Sequence, residues 1–390
     1  MLRRGRKSGH GWAGATLVVI AIAMACSAVA YAQPVADWQS KWEKVLAEAK
    51  KEGNVVVFGP PGELVRKALI EGFKNAFPEI EINFSGATGS ELASKVRAER
   101  EGGIFSVDVL LQGTSTVNVY LKPMEALDPI APALILPKVT DTKNWRDQRL
   151  EFSDKEGKYN VVFASDVYPV AIYNSRQAKA EEINDPFKLL DSKWKGKIVV
   201  NDPLPSGPGN GSFRWIWRLL GPARATDFYR KIRAQVGAVD RDQRRQIEWI
   251  VQGKYAILLG PNMPVASQLA ERGLKLDVLP EFRDYGTYIT SGYGTAVLIN
   301  RAPHPNAATV FLNWVLSREG QTAWSKAMGQ ASRRLDVPSD HVPSYLVPKP
   351  GARTWTKDYK AGDRYWLSYH EEALQLTPEQ EKLLKELFGR

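Results

Sequence analysis

The sequence predicts an α/β protein of two lobes, each a sheet flanked by helices, with two crossing strands joining them. Three observations carry that prediction. Strand-like and helix-like runs alternate along the chain, and the same alternation restarts near its middle. Two long extended stretches, 160–173 and 287–300, fall where one half gives way to the other. The 390 residues, 44% hydrophobic and 25% charged, suit two to three cores of roughly 150 residues each and are too balanced for a disordered chain.

The first element is a leader. Arg3, Arg4, Arg6 and Lys7 precede the uncharged stretch Ala13–Ala25, which holds Leu17, Val18, Val19, Ile20 and Ile22, and Ala30-Tyr31-Ala32 follows. A basic start, a short apolar run and a small-x-small site predict a signal peptide over 1–32, cleaved near Ala32, and a mature protein in the periplasm. The run is too short and too rich in alanine for a membrane span. Part of the net charge of +10 belongs to this leader, and so does Cys26, the single cysteine. The mature chain is therefore expected to lack disulfides, thiolate metal sites and cysteine nucleophiles.

An amphipathic helix on Trp38, Trp42, Val45, Leu46 and Ala49 comes next and stops at Gly53. Asn54–Gly59 reads as a buried strand, 62–77 as a helix ended by Pro78, and Glu79–Phe84 as a strand alternating on Ile80, Ile82 and Phe84. Thr88–Arg100 is a helix and Val107–Leu111 a third strand, running into Gln112-Gly113-Thr114. Strand, helix, strand, helix, strand at this spacing means a parallel sheet with right-handed crossovers, and ligands of such sheets bind beyond the strands' carboxyl ends. Loops 59–63, 85–90 and 112–116 should then face one mouth.

The second lobe repeats this grammar. Tyr159–Tyr173 is strand-rich, Lys197–Val200 is a strand, and a Gly/Pro loop spans Asn201 to Gly211. Ser212–Leu220 is a helix on Phe213, Ile216, Trp217 and Leu220, stopped by Gly221. Helices near 223–236 and 240–252, strands Tyr255–Leu259 and Leu274–Leu279, and the extended stretch Thr287–Asn300 follow. Helix 306–317 and its successor to about Met328 complete the globular part. The expected division is 37–160 with 295–390 in the first lobe and 161–294 in the second, hinged at the two extended stretches. Pro338, Pro343, Pro348 and Pro350 predict an extended wrapping tail, docked by Trp355, Tyr359, Tyr365, Trp366 and Tyr369 and ended by a helix after Thr377-Pro378.

Several stretches carry a family resemblance. Gly86-Ala87-Thr88-Gly89-Ser90-Glu91-Leu92-Ala93-Ser94-Lys95 is one, and Ser106-Val107-Asp108-Val109-Leu110 is another. The most specific is Ala302-Pro303-His304-Pro305-Asn306-Ala307-Ala308 with Phe311-Leu312-Asn313-Trp314 and Ser317-Arg318-Glu319-Gly320-Gln321. Over roughly 40–335 the chain resembles type II periplasmic solute-binding proteins of ABC transporters, in the ferric-iron-like branch. The resemblance implies a receptor that closes two lobes on a small solute and hands it to an inner-membrane ABC permease. A sensor kinase or chemoreceptor as membrane partner, and a thiaminase-like enzyme on the same fold, are the alternatives. Ferric-binding members carry adjacent tyrosines after the strand matching Tyr255–Leu259, whereas this chain reads Gly260-Pro261-Asn262-Met263-Pro264-Val265. Iron is accordingly ranked below an organic solute, with Tyr168, Tyr173, Tyr285 and Tyr293 as its remaining phenols, and His304 is expected to be structural.

Two helix starts should face the mouth. Thr88-Gly89-Ser90-Glu91 fits a capping box in one lobe, and Ser206-Gly207-Pro208-Gly209-Asn210-Gly211-Ser212 precedes a helix in the other. Backbone N–H groups at helix N-termini favour anions. The expected ligand residues are Gly59, Pro60, Thr88, Gly89, Ser90, Gly113, Thr114, Ser206, Gly209, Asn210, Gly211 and Asn262, holding a solute with a carboxylate, phosphate or phosphonate group. No cofactor or metal is expected, and the protein should act as a monomer. No G-x-S-x-G, HExxH or P-loop lysine marks an enzyme. Arg241, Arg244 and Arg245 without interleaved aromatics do not suggest nucleic acid.

Overall fold

The computed structural model describes residues 37–205 and 207–389; the leader and Ser206 lie outside the described residues. The first half runs α1 (Asp37–Glu52), β1 (Asn54–Gly59), α2 (Glu63–Ala76), β2 (Glu81–Gly86), α3 (Gly89–Glu101) and β3 (Val109–Gln112). Then come β4 (Leu127–Asp128), α4 (Pro137–Thr140), β5 (Asn160–Val162), β6 (Asp166–Tyr168), β7 (Ala171–Tyr173) and α5 (Ala180–Ile183). The middle holds β8 (Ile198–Asn201), α6 (Pro208–Leu220), α7 (Pro222–Gln235), β9 (Val236–Asp240), α8 (Gln243–Val251), β10 (Ile257–Leu259), α9 (Met263–Glu271) and β11 (Asp277–Leu279). The last part is β12 (Thr287–Thr290), β13 (Thr295–Ile299), α10 (Pro305–Val315), α11 (Arg318–Met328), β14 (Thr354–Trp355), β15 (Tyr365–Leu367), α12 (Glu371–Leu374) and α13 (Pro378–Phe388).

Three sheets result. The first has the order β2-β1-β3-β13-β4, with β5 also on β13; β1 pairs in parallel with both β2 and β3, as the spacing predicts. Val55, Val57, Val109 and Leu111 are fully buried there, and Phe73 of α2 meets Phe311 and Trp314 of α10 edge-on at 5.3 and 5.5 Å. Burial of one such side chain is worth about 1.5–3 kcal/mol. The His304 motif is a brace: fully buried Asp108 accepts from the backbone N–H groups of Val56 and His304 and lies 2.9 Å from His304 Nδ1. It ties β1 to the start of α10, the structural role expected of His304. The second sheet, β11-β7-β10-β8-β9, is the core of the second lobe.

A third sheet, β14-β15-β12-β6, lies at the hinge. The chain passes from the first sheet to this one by β5→β6 and returns by β12→β13, so the stretch 287–300 is two strands with a step between them, and 160–173 is three, its last strand β7 already in the second sheet. The step at Ser291–Gly294 needs its glycines. Gly292 has a positive φ of 51°, and a Cβ on Gly294 would lie 2.6 Å from that of Ala164.

The tail departs from expectation. It docks as an extended wrap, but against the hinge and the second lobe rather than the first. Tyr365, Trp366 and Leu367 pair in parallel with Thr287, Tyr288 and Ile289, while Trp355, Trp366, Leu383, Leu384 and Phe388 join the second lobe's core. The open edge of β12 supplies backbone partners and the groove beside α7 supplies apolar area, which the first lobe has already covered with α10 and α11. Only a short stretch reaches back, where Glu371 bonds the Ser153 carbonyl through its N–H and Lys122 through its carboxylate.

Candidate functional site: the cleft between the lobes

Loops at the carboxyl ends of the parallel strands of the first two sheets reach the hinge strands. Gly113, just past β3, lies so close to the Gly292 carbonyl that a Cβ would be 2.6 Å from it. From the other side Gly211 abuts the Tyr288 phenol, and Tyr168 Oη donates to the Pro261 carbonyl at 2.7 Å. The expected mouth is thus brought together, with β6 and β12 as its floor.

On the first-lobe side Thr88 is the N-cap of α3. Its N–H and hydroxyl both donate to Glu91 Oε2, at 2.9 and 2.7 Å, which holds that carboxyl below its ordinary range. Gly89 is pressed against the Thr116 hydroxyl, while Ser90 is exposed, its Oγ 3.3 Å from that of Thr88. Thr114 is buried, with its N–H 3.5 Å from Ser291 Oγ. Gly59 and Pro60 do not line the space: both are buried, and a Cβ on Gly59 would sit 2.4 Å from the Phe84 ring. They close a turn under that ring.

On the second-lobe side the glycine run is not the loop before the helix. α6 already starts at Pro208, because proline's fixed φ suits the first helical position. Gly209 then packs on β8, with its N–H on Asn201 Oδ1 at 3.2 Å. Asn210 is buried and structural: its amide donates to the Pro203 carbonyl and its Oδ1 accepts from Arg214 Nε, both at 3.0 Å. Ser212 Oγ is 3.4 Å from Tyr288 Oη. The N-cap of α6, Gly207, has no side chain, and Asn201 Oδ1 takes an N–H of its first turn instead, that of Gly209, whereas Asn262 caps α9 by accepting from the Val265 N–H at 3.1 Å.

The floor was largely missed by sequence reasoning. Antiparallel register sets Asp166 opposite Thr290 and Tyr168 opposite Tyr288, on one face. The two phenols stack at 5.0 Å and 11°, and burial pushes both well above the usual tyrosine range. Asp166 accepts from the Ala331 N–H at 3.1 Å, yet burial lifts its carboxyl to about 7. Ser291 and Gln330 complete this wall, with Gln330 Nε2 donating to the Ser291 carbonyl at 2.8 Å. A lone acid inside the apolar run 160–173 was the signal available. Among the described residues no group of three or more His, Cys, Asp or Glu side chains gathers as a metal site, and no helix is long and apolar enough to cross a membrane.

A family model described as bacterial extracellular solute-binding protein matches residues 68–346. The chain belongs to that family. This solute-binding protein is thus the binding component of an ABC-transport system, a class that takes small solutes to a permease. Solved structures share its two-lobed fold. Iron-bound HitA from Pseudomonas aeruginosa superposes with a TM-score of 0.61 at 16% identity, covering 86% of this chain and 99% of HitA. Apo FutA2 from Synechocystis reaches 0.64 at 16% identity, covering 87% and 99%. AfuA from Actinobacillus pleuropneumoniae, with fructose-6-phosphate bound, reaches 0.60 at 18% identity, covering 86% and 97%. No curated protein matches this solute-binding protein in sequence.

Proposed function

We propose that this protein, exported to the periplasm with its leader removed near Ala32, closes on a small anionic solute and delivers it unaltered to an inner-membrane permease, as a monomer. The observation that carries the reading is the start of α6. It is a helix N-terminus opened by Gly207 and Pro208, at the carboxyl end of β8 and against the hinge residue Tyr288; among the described side chains only the neutral amide of Asn201 bonds its first turn. The positive end of a helix dipole placed there favours a carboxylate, phosphate or phosphonate head. On the opposite side Thr88, Ser90 and Thr114 supply hydroxyls, and on the same side as α6 Asn262 supplies an amide.

The iron of HitA belongs to that protein. Here the two floor phenols are stacked and desolvated, and Tyr168 already donates its proton to Pro261, so neither is disposed to become a phenolate ligand. A melting-temperature screen of the exported protein with carboxylates, phosphoesters, phosphonates and ferric citrate tests the proposal. A solute at a hundredfold excess over its Kd should stabilise by about 2.7 kcal/mol and be recovered with unchanged mass. Stabilisation by ferric citrate alone with a visible charge-transfer band, or a chemically altered solute, would overturn it.

A further inference from the structure

We infer that Asp166 is the residue of the cleft floor that reads a hydrogen-bond donor, a hydroxyl or ammonium group, on the far end of the solute. The inference rests on the solute-binding reading above and deepens it. Asp166 begins β6, the first strand of the hinge, and is partly exposed. Its register partner is Thr290, and its neighbour along the same face is Tyr168, whose hydroxyl reaches the Pro261 carbonyl of the second-lobe mouth. On the other side lies Gln330, which reaches Ser291 beside the first-lobe loop of Gly113 and Thr114. The carboxylate therefore stands between the two mouths, where a solute held at α6 would turn its other end.

Asp166 has acceptor capacity to spare, because a carboxylate offers about four lone-pair sites and few donors face it here. From the segment after α11 it receives the Ala331 N–H, with the Gln330 amide beside it; from β12 it faces Thr290; from the loop after α4 the nearest charge is Arg146. Arg146 gives it no hydrogen bond, and the Nη1 of that guanidinium is itself buried without a partner. A partly exposed carboxylate with open acceptor sites can take a further donor from a molecule seated against it. Closure over a solute supplies such a donor. Burial holds the Asp166 carboxyl near 7, so recognition of this kind has a pH signature. The ionised form accepts best, and affinity for a donor-bearing solute should rise as pH goes from 6 to 8.

The test uses the exported full chain, wild type and Asp166→Asn, with probe pairs that differ in one donor. The pairs are glycolate and acetate, citrate and tricarballylate, 2-aminoethylphosphonate and ethylphosphonate, and fructose-6-phosphate and inorganic phosphate. Calorimetric titration at pH 6, 7 and 8 should find one donor-bearing member at least tenfold tighter than its partner on the wild type. Asp166→Asn should erase that preference and its pH dependence. A preference that survives in the variant, or binding by the wild type with no pair distinguished, overturns the role of Asp166 and leaves the anionic-solute reading standing. Binding by none of the eight probes overturns both.

Discussion

The two mouths of the cleft are built on opposite plans. At the start of α3 the chain answers itself: Glu91 folds back on Thr88, so the positive end of that helix already carries a carboxylate. At the start of α6 the side chain that answers is the neutral amide of Asn201, on the Gly209 N–H, and the nearest charge along the helix is Arg214. The glycines differ as well. Gly89 is walled by the hydroxyl of a side chain, Thr116, whereas Gly209 is walled by the backbone carbonyls of Asn201 and Asp202, 2.2 and 2.7 Å from where a Cβ would be. A capping box leaves a helix start that already carries a carboxylate, whereas the glycine-proline start carries only a neutral amide and is the one that the proposed anionic solute would favour.

The largest effect should come from Gly209→Ala. Backbone walls cannot rotate away, so a loss of about 3 kcal/mol is expected in the denaturant midpoint, with solute binding lost alongside. A near-neutral result would mean that the second mouth is as yielding as the first.

Next is the floor that separates the mouths. The Asp166 carboxyl ionises near 3.8 unfolded and about 7 folded, so the folded state holds its proton more tightly. Its contribution to stability is fully present below 3.8 and is lost as pH rises through 7. Asp166→Asn, which cannot ionise, should be more stable than wild type by about 2 kcal/mol at pH 8, allowing for partial exposure. The gap should close by pH 3. A gap independent of pH in melting curves would place the effect in packing instead.

Gly89→Ala should cost less than its counterpart, about 1 kcal/mol, because the Thr116 side chain can turn aside. Equal losses at Gly89 and Gly209 would erase the contrast between the walls. Smallest of all, Glu91→Gln removes the carboxylate from the α3 start. Stability should fall slightly, and affinity for an anionic probe should rise roughly threefold. Weaker anion binding in that variant would show that Glu91 orders the first mouth rather than competing at it.

What the sequence by itself determined is local. Apolar periodicity, Gly53, Pro78 and Gly221 as stops, and Thr377-Pro378 as a start locate helices and strands to within a few residues, since these signals act over one or two turns of chain. The spacing of β1, β2 and β3 dictates a parallel sheet, and thereby which loops share an end of the first lobe. The tertiary structure decided everything that depends on a distant partner. It put Gly59 and Pro60 under Phe84, spent Asn210 on Pro203 and Arg214, and began α6 at Pro208 because β8 offered Gly209 a backing. It also sent the aromatic tail to the open edge of β12 and set Asp166 on the floor between two mouths. Pairing register and desolvation arise between segments far apart in the chain, so a carboxylate whose ordinary reading is a solvated one acquires its character only when the hinge strands meet.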